Sequence, residues 1–182
     1  MLLLSTLIVP LLAVVAAASP LRRDGNGINA ALAKISKQLV EMDETLGTFN
    51  RGLAATVIAL KIQGQATALQ KGIESATSTT KKSAELDDEE SASVASSVNS
   101  LTRNIYRVLD HLVEKKPDFD KAIFGVGSAS GLVKQDLQNL QKATGDFGAA
   151  LTDKFVGAVR SVSPLVVSAI NHHFEEALKV YA

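Results

Sequence analysis

Apolar residues recur at Ile28, Leu32, Ile35, Leu39, Met42, Leu46 and Phe49, in alternating steps of four and three. A seven-residue period with a single apolar seam describes a helix packed lengthwise against other helices. Ile58, Ile62, Ala66, Leu69, Ile73 and Ala76 form a second stripe, widened by Leu53, Val57 and Leu60. That width predicts a more deeply buried helix. Val94, Val98, Leu101, Ile105, Val108 and Leu112 restore the strict pattern in a third. Its start is marked by Asp87-Asp88-Glu89-Glu90, acidic residues beside the positive end of the helix dipole, and its stop by Lys115-Lys116-Pro117.

Val133, Leu137, Leu140, Thr144, Phe147 and Leu151 hold the same phase straight through Gly145. The spacing predicts one long helix from about Ser128 to Val159, preceded by a loop or short helical turn at Pro117 to Phe124. Ser163-Pro164 reads as the next helix start, with Ser as cap and Pro at the first position, where its missing N–H is harmless. Val166, Ile170, Phe174, Ala177 and Tyr181 then give a fifth stripe. The Ser/Thr-rich segment from Ser75 to Thr80 is expected to be an exposed inter-helix loop. No strand pattern competes, so the fold class is all-α: a five-helix up-and-down amphipathic bundle in a single domain.

The first residues stand apart from this pattern. Leu2 to Ala18 is almost wholly apolar, is interrupted by Pro10, and ends in small residues suited to a signal peptidase. It is short for a membrane anchor, and Arg22-Arg23 follows. Residues 1–18 are therefore expected to be a signal peptide, 19–23 a short pro-segment ending in a dibasic site, and 24–182 the mature domain. Cleavage there removes two of the 19 basic residues and none of the 19 acidic ones, leaving a mildly acidic secreted chain. Such a charge balance offers no electrostatic footprint for nucleic acid.

Cysteine is absent, which excludes disulfides and thiolate metal sites, so apolar packing alone must hold the exported domain. No Asn-x-Ser/Thr acceptor occurs, and the stretch ending Lys179-Val-Tyr-Ala182 carries no glycolipid-anchor signal. Only His111, His172 and His173 are available as imidazole ligands, and adjacent helical histidines diverge by about 100°. Gly125 to Gly131 lacks the strand and the Gly-Lys-Ser/Thr closure of a phosphate loop. No nucleophile–base or carboxylate arrangement assembles from helical spacing, so neither catalytic residues, a metal nor a cofactor is expected.

Small residues at Gly127, Ala129, Ser130 and Gly131, and at Gly64, Ala66 and Ala68, interrupt faces otherwise built of Leu and Val. They either allow close helix approach or leave a cavity.

Several segments carry a family resemblance. They are Arg22-Arg23, Leu46-Gly-Thr-Phe49, Ala59-Leu-Lys-Ile62 through Ile73, and Leu109-Asp-His-Leu-Val-Glu-Lys-Lys-Pro-Asp-Phe119. Asp136-Leu-Gln-Asn-Leu140, Thr144-Gly-Asp-Phe147 and Phe174-Glu-Glu-Ala-Leu-Lys-Val-Tyr-Ala182 continue the series. In this order they resemble the fungal hydrophobic surface-binding protein A family, related to the lipid-binding domains of cell-wall galactomannoproteins. The resemblance implies a secreted helical domain that adsorbs to hydrophobic surfaces and, in the galactomannoprotein branch, sequesters fatty acids. Lacking a Ser/Thr-rich tail and an anchor signal, this chain is expected to be a soluble secreted form, with cell-wall association as the alternative.

The expected function is thus non-enzymatic binding of a fatty acid or other lipid in the bundle core. Leu39, Leu69, Ile105, Leu112, Leu137, Leu140, Phe147, Leu151, Ile170 and Phe174 are the candidate apolar lining, and Gln65, Ser130 and Thr144 the candidate head-group contacts. One alternative is adsorption to a hydrophobic solid by bundle opening, with a secreted hydrolase as the partner recruited there. Another is a structural wall mannoprotein bearing O-linked sugar on residues 75–100.

Overall fold

The computed structural model describes residues 24–50, 54–122 and 128–182. The expected signal peptide and dibasic site, as well as Leu53, Gly125 and Gly127, lie outside these residues. The described chain forms α1 (Asp24–Thr48), α2 (Ala55–Lys82), α3 (Asp88–Phe119), α4 (Ser130–Lys154) and α5 (Gly157–Val180). The five-helix all-α bundle read from the periodicity is the observed fold.

Cross-helix hydrogen bonds fix the directions. Asn29 Nδ2 donates to Ser93 Oγ at 3.0 Å and Asn104 Nδ2 to Ser36 Oγ at 2.8 Å, while His111 Nδ1 meets Asp43 Oδ1 at 2.9 Å. Partners that advance together along the two helices, 64 to 68 residues apart in the chain, make α1 and α3 parallel. Gln38 Nε2 donates to the Ala68 carbonyl and Gln65 Nε2 to the Glu41 carbonyl, an antiparallel register for α1 and α2. Gln141 to Asn171 and Ser163 to Thr152 set α4 and α5 antiparallel. Around the bundle the helices follow the order α1, α2, α4, α5, α3, closing on α1, and α3 barely touches α4.

The seams pack inward as their period requires. Every residue of the first stripe is buried, as are Leu137, Leu140, Phe147 and Leu151 of the fourth. The acidic start of α3 is a capping box: Asp87 Oδ1 accepts from the Glu90 backbone N–H at 2.8 Å, and Glu90 reaches back to the Asp87 N–H. Glu90 Oε1 also accepts from the Gly25 N–H at 3.1 Å, and a Cβ on Gly25 would stand 3.0 Å from the Glu90 side chain. At the opposite end Phe119 lies 4.4 Å from Phe49 and edge-on to Tyr181, whose hydroxyl donates to the Leu112 carbonyl at 2.6 Å.

Four expectations about element boundaries are corrected. The segment from Ser75 to Thr80 is the last part of α2, with Ala76, Thr77 and Thr80 buried. Its hydroxyls turn inward on the helix itself, Thr77 to the Ile73 carbonyl and Thr79 to that of Ser75, so polarity does not break it. α3 runs through Pro117 to Phe119, because the buried aromatic contact of Phe119 and the Lys116–Asp120 ion pair hold the turn beyond the proline. α4 stops at Lys154 instead of reaching Val159: the Leu86 N–H binds the Lys154 carbonyl, Ser91 Oγ accepts from the Val156 N–H, and Gly157 takes φ +55°. That left-handed conformation suits glycine and lets the chain reverse.

α5 consequently begins at Gly157, and Ser163-Pro164 lies inside it. Proline removes the N–H that would bind the Arg160 carbonyl. Ser163 Oγ lies 3.2 Å from that carbonyl and 2.9 Å from Thr152 Oγ1, so its single proton is shared between the two acceptors. The wide face assigned to α2 is also narrower than expected, since Val57 and Leu60 are exposed.

Candidate functional site: a cavity roofed by α5

A ring of five helices leaves an axis that side chains must fill, and here they fill it incompletely. A cavity of about 290 Å³ lies between α3, α4 and the underside of α5. Its size stands at the low end of the ~300–1,000 Å³ common for small-molecule sites. A second void of about 30 Å³ sits on the bundle axis, touched by all five helices. Leu101, Ile105, Thr144, Phe147 and Phe174 line both and form the partition between them.

The large cavity exists because small side chains face one another across three helices. α3 contributes Ala95, α4 contributes Gly145 and Gly148, and α5 contributes Ser163 and Ala169. A Cβ on Gly145 would meet nothing within 4 Å, whereas one on Gly148 would stand 2.6 Å from Val167 Cγ2. Gly148 is thus the close approach that seats α5 on α4, and Gly145 is open space. From Gly157 to Ala169 the only buried residue of α5 is Ser163. Val162, Leu165 and Val166 on this half-helix are exposed, Leu165 by 71%. Asn99, Val162, Val166 and Ala169, all exposed, form the rim.

The sequence-derived candidates divide cleanly. Leu151 and Ile170 line the large cavity, Leu39, Leu69, Leu112 and Leu140 the axial void, and Ile105, Phe147, Phe174 and Thr144 both. Leu137 is buried but borders neither. Gln65 spends its amide on Glu41 and Thr45 between α1 and α2, and Ser130 donates to Asp120 Oδ1 at 2.6 Å at the foot of α4. Nor do the small residues first singled out create the space: Gly64, Ala68 and Gly131 are exposed, while Ala66 and Ala129 pack in the core. Asn99, Thr102, Val159 and Val162 are lining residues that the seams did not mark, while Val98 and Val166 stood in the third and fifth stripes. A usable signal was present, because Val159, Val162, Leu165, Val166 and Val167 are more apolar residues than one helical stripe can bury.

Among the described residues, none that borders either cavity is charged. Polar groups there are mostly committed. Gln141 Nε2 donates to Asn171 Oδ1 at 2.7 Å, and Asn171 Nδ2 to Glu175 Oε1 at 2.8 Å. Thr102 and Ser163 donate to backbone carbonyls, and Tyr106 stacks on His173 with ring centroids 4.2 Å apart. Among the described residues no group of three or more His, Asp or Glu side chains is placed to hold a metal ion, and no helix is long and apolar enough to cross a membrane.

One titrating group is set against its environment. Asp136 on α4 borders neither cavity, and burial raises its carboxyl from 3.8 to about 6. The folded state therefore binds this proton more tightly than the unfolded chain, so stability is greatest below about pH 4 on this account and falls as pH rises towards 6. The full displacement corresponds to at most about 3 kcal/mol, and solvent screening of the half-buried group reduces this to about 1 kcal/mol. Asp136→Asn is expected to raise the melting temperature at pH 7 and to leave it unchanged near pH 3.5, as followed by circular dichroism.

Comparison with known proteins places this architecture. The family model described as hydrophobic surface binding protein A matches residues 25–153. The chain belongs to that family. Among solved structures, AFMP4P in complex with palmitic acid superposes with a TM-score of 0.80 at 26% identity, covering 87% of this chain and 99% of the other. Ligand binding domain 1 of Penicillium marneffei MP1 protein, complexed with arachidonic acids, gives 0.78 at 17% identity, with 87% and 99% covered. Domain 2 of the same protein, complexed with multiple arachidonic acids, gives 0.78 at 16% identity, with 89% and 98% covered. No curated protein sequence matches. The family match runs from the start of α1 to the end of α4, and thus includes the α3 and α4 walls of the cavity.

Proposed function

We propose that this member of the hydrophobic surface binding protein A family is a secreted, non-enzymatic protein that holds one long-chain lipid beneath α5. The observation that carries the reading is the uncharged apolar cavity, and its length selects the ligand class. Along α5 the lining runs from Val159 to Phe174, about 22 Å at 1.5 Å per residue. A staggered hydrocarbon chain advances about 1.25 Å per carbon, from ~1.5 Å bonds and ~111° angles. Along α3 the lining runs only from Ala95 to Tyr106, about 17 Å, so chains of about 13 to 18 carbons match the site, and each Å² of apolar surface covered contributes about 25 cal/mol. The palmitic acid complex of the relative at 26% identity supports this reading.

Native mass spectrometry of detergent-free secreted protein, followed by denaturing extraction, tests it. A fatty acid or other lipid at one per chain is expected. A bare monomer that also takes up no added palmitic acid would overturn the proposal.

The exposed apolar half of α5 favours a second activity, adsorption to hydrophobic surfaces by lifting of this helix. Cβ atoms at positions 148 and 167 would lie 3.5 Å apart, within the range a disulfide requires. The Gly148→Cys/Val167→Cys variant should adsorb to polystyrene beads when reduced and lose most of that adsorption when oxidised. Equal adsorption in both states would exclude opening at α5.

A further inference from the structure

Threonines inside helices ordinarily return their hydroxyl to the carbonyl four residues earlier. Thr45, Thr67, Thr77, Thr102 and Thr152 all do so, at 2.9 to 3.0 Å. Thr144 does not: it makes no hydrogen bond among the described residues, although it stands on α4 between the large cavity and the axial void. Thr80, fully buried, is the other helical threonine without a partner, and it borders neither space, whereas Thr144 is half-buried. Around Thr144 the partition is otherwise Leu101, Ile105, Phe147 and Phe174, none of which offers a donor or acceptor.

We infer that the Thr144 hydroxyl anchors an uncharged oxygen of the bound lipid, so that the site selects long-chain alcohols, esters and protonated acids over permanently charged amphiphiles. This rests on the lipid-binding reading above and adds to it the chemistry of the polar group. A hydroxyl both donates and accepts, so it serves an ester carbonyl as well as an alcohol. A buried anion needs an opposite charge or several converging donors. The cavity offers no opposite charge: its lining is uncharged, the Thr102 and Ser163 hydroxyls and the Gln141 and Asn171 amides already have partners, and besides Thr144 only the Tyr106 hydroxyl and the exposed Asn99 amide are uncommitted.

The test measures binding of tetradecanol, methyl myristate and submicellar tetradecanesulfonate to the wild type, Thr144→Val and Thr144→Ser, with melting curves to establish that each variant is folded. Valine keeps the shape and removes only the hydroxyl. The expected result is that Thr144→Val weakens tetradecanol and methyl myristate about three- to tenfold, that Thr144→Ser restores them, and that the sulfonate binds at least tenfold more weakly than the alcohol to the wild type. Unchanged alcohol and ester affinity in a folded Thr144→Val, or a sulfonate bound as tightly as the alcohol, would overturn the anchor while leaving lipid binding in place. Failure of all three probes to bind the wild type would overturn lipid binding itself.

Discussion

Leu137→Asp is expected to unfold the bundle at neutral pH. Leu137 is 1% exposed, lies about two turns inside α4, and borders neither cavity, so neither void can receive a carboxylate there. The substitution removes a side chain whose truncation alone costs about 2–5 kcal/mol. It also buries an unpaired charge, a further cost of several kcal/mol unless the group takes up a proton. Together these reach about 5–10 kcal/mol, comparable to the whole ~5–15 kcal/mol stability of a typical domain. Far-UV circular dichroism should show loss of helix at 25 °C and pH 7, with partial recovery near pH 4 where the carboxyl is neutral. A cooperative melt at the wild-type temperature would contradict the packing described for α4. Loss of ligand binding in this variant would report unfolding, which is why a position inside the cavity is needed to probe binding.

Gly145 is that position. Gly145→Leu places an isobutyl group where a Cβ meets nothing within 4 Å, directly into the cavity wall. It should displace the lipid and weaken palmitic acid binding by more than tenfold, measured by isothermal titration. Stability should move the other way, because replacing a mid-helix glycine removes about 0.8–1 kcal/mol of backbone cost and the new side chain fills empty apolar volume. Opposite signs separate a blocked site from a damaged fold. Wild-type affinity in Gly145→Leu would place the ligand elsewhere, whereas a lowered melting temperature would mean that α5 cannot accommodate the leucine. The neighbouring Gly148 has no such freedom, since Val167 already occupies the space its Cβ would need.

These two substitutions mark where the sequence was sufficient and where it was not. Ile28, Leu32, Ile35 and Leu39 in α1, or Leu137 and Leu140 in α4, announce their burial by spacing alone, because a seven-residue period admits one inward face. Helix number and the all-α class follow from the same pattern, and the acidic run from Asp87 to Glu90 marked the start of α3, where the structure adds a capping box. Boundaries were decided by partners distant in the chain. Ser91 and Leu86 end α4, and Phe49 and Tyr181 carry α3 past Pro117.

The cavity was still less local. Ile105, Phe147 and Phe174 were legible as lining because core-facing residues border any space on the axis. Ala95, Gly145 and Ser163 were not, since a void is the shortfall between side chains on three helices that meet only when folded. Periodicity by itself determined which face of each helix turns inward. Which small residues would face each other across a gap, and which threonine would be left without a partner, was decided by the order of helices around the ring, a property that no single helix encodes.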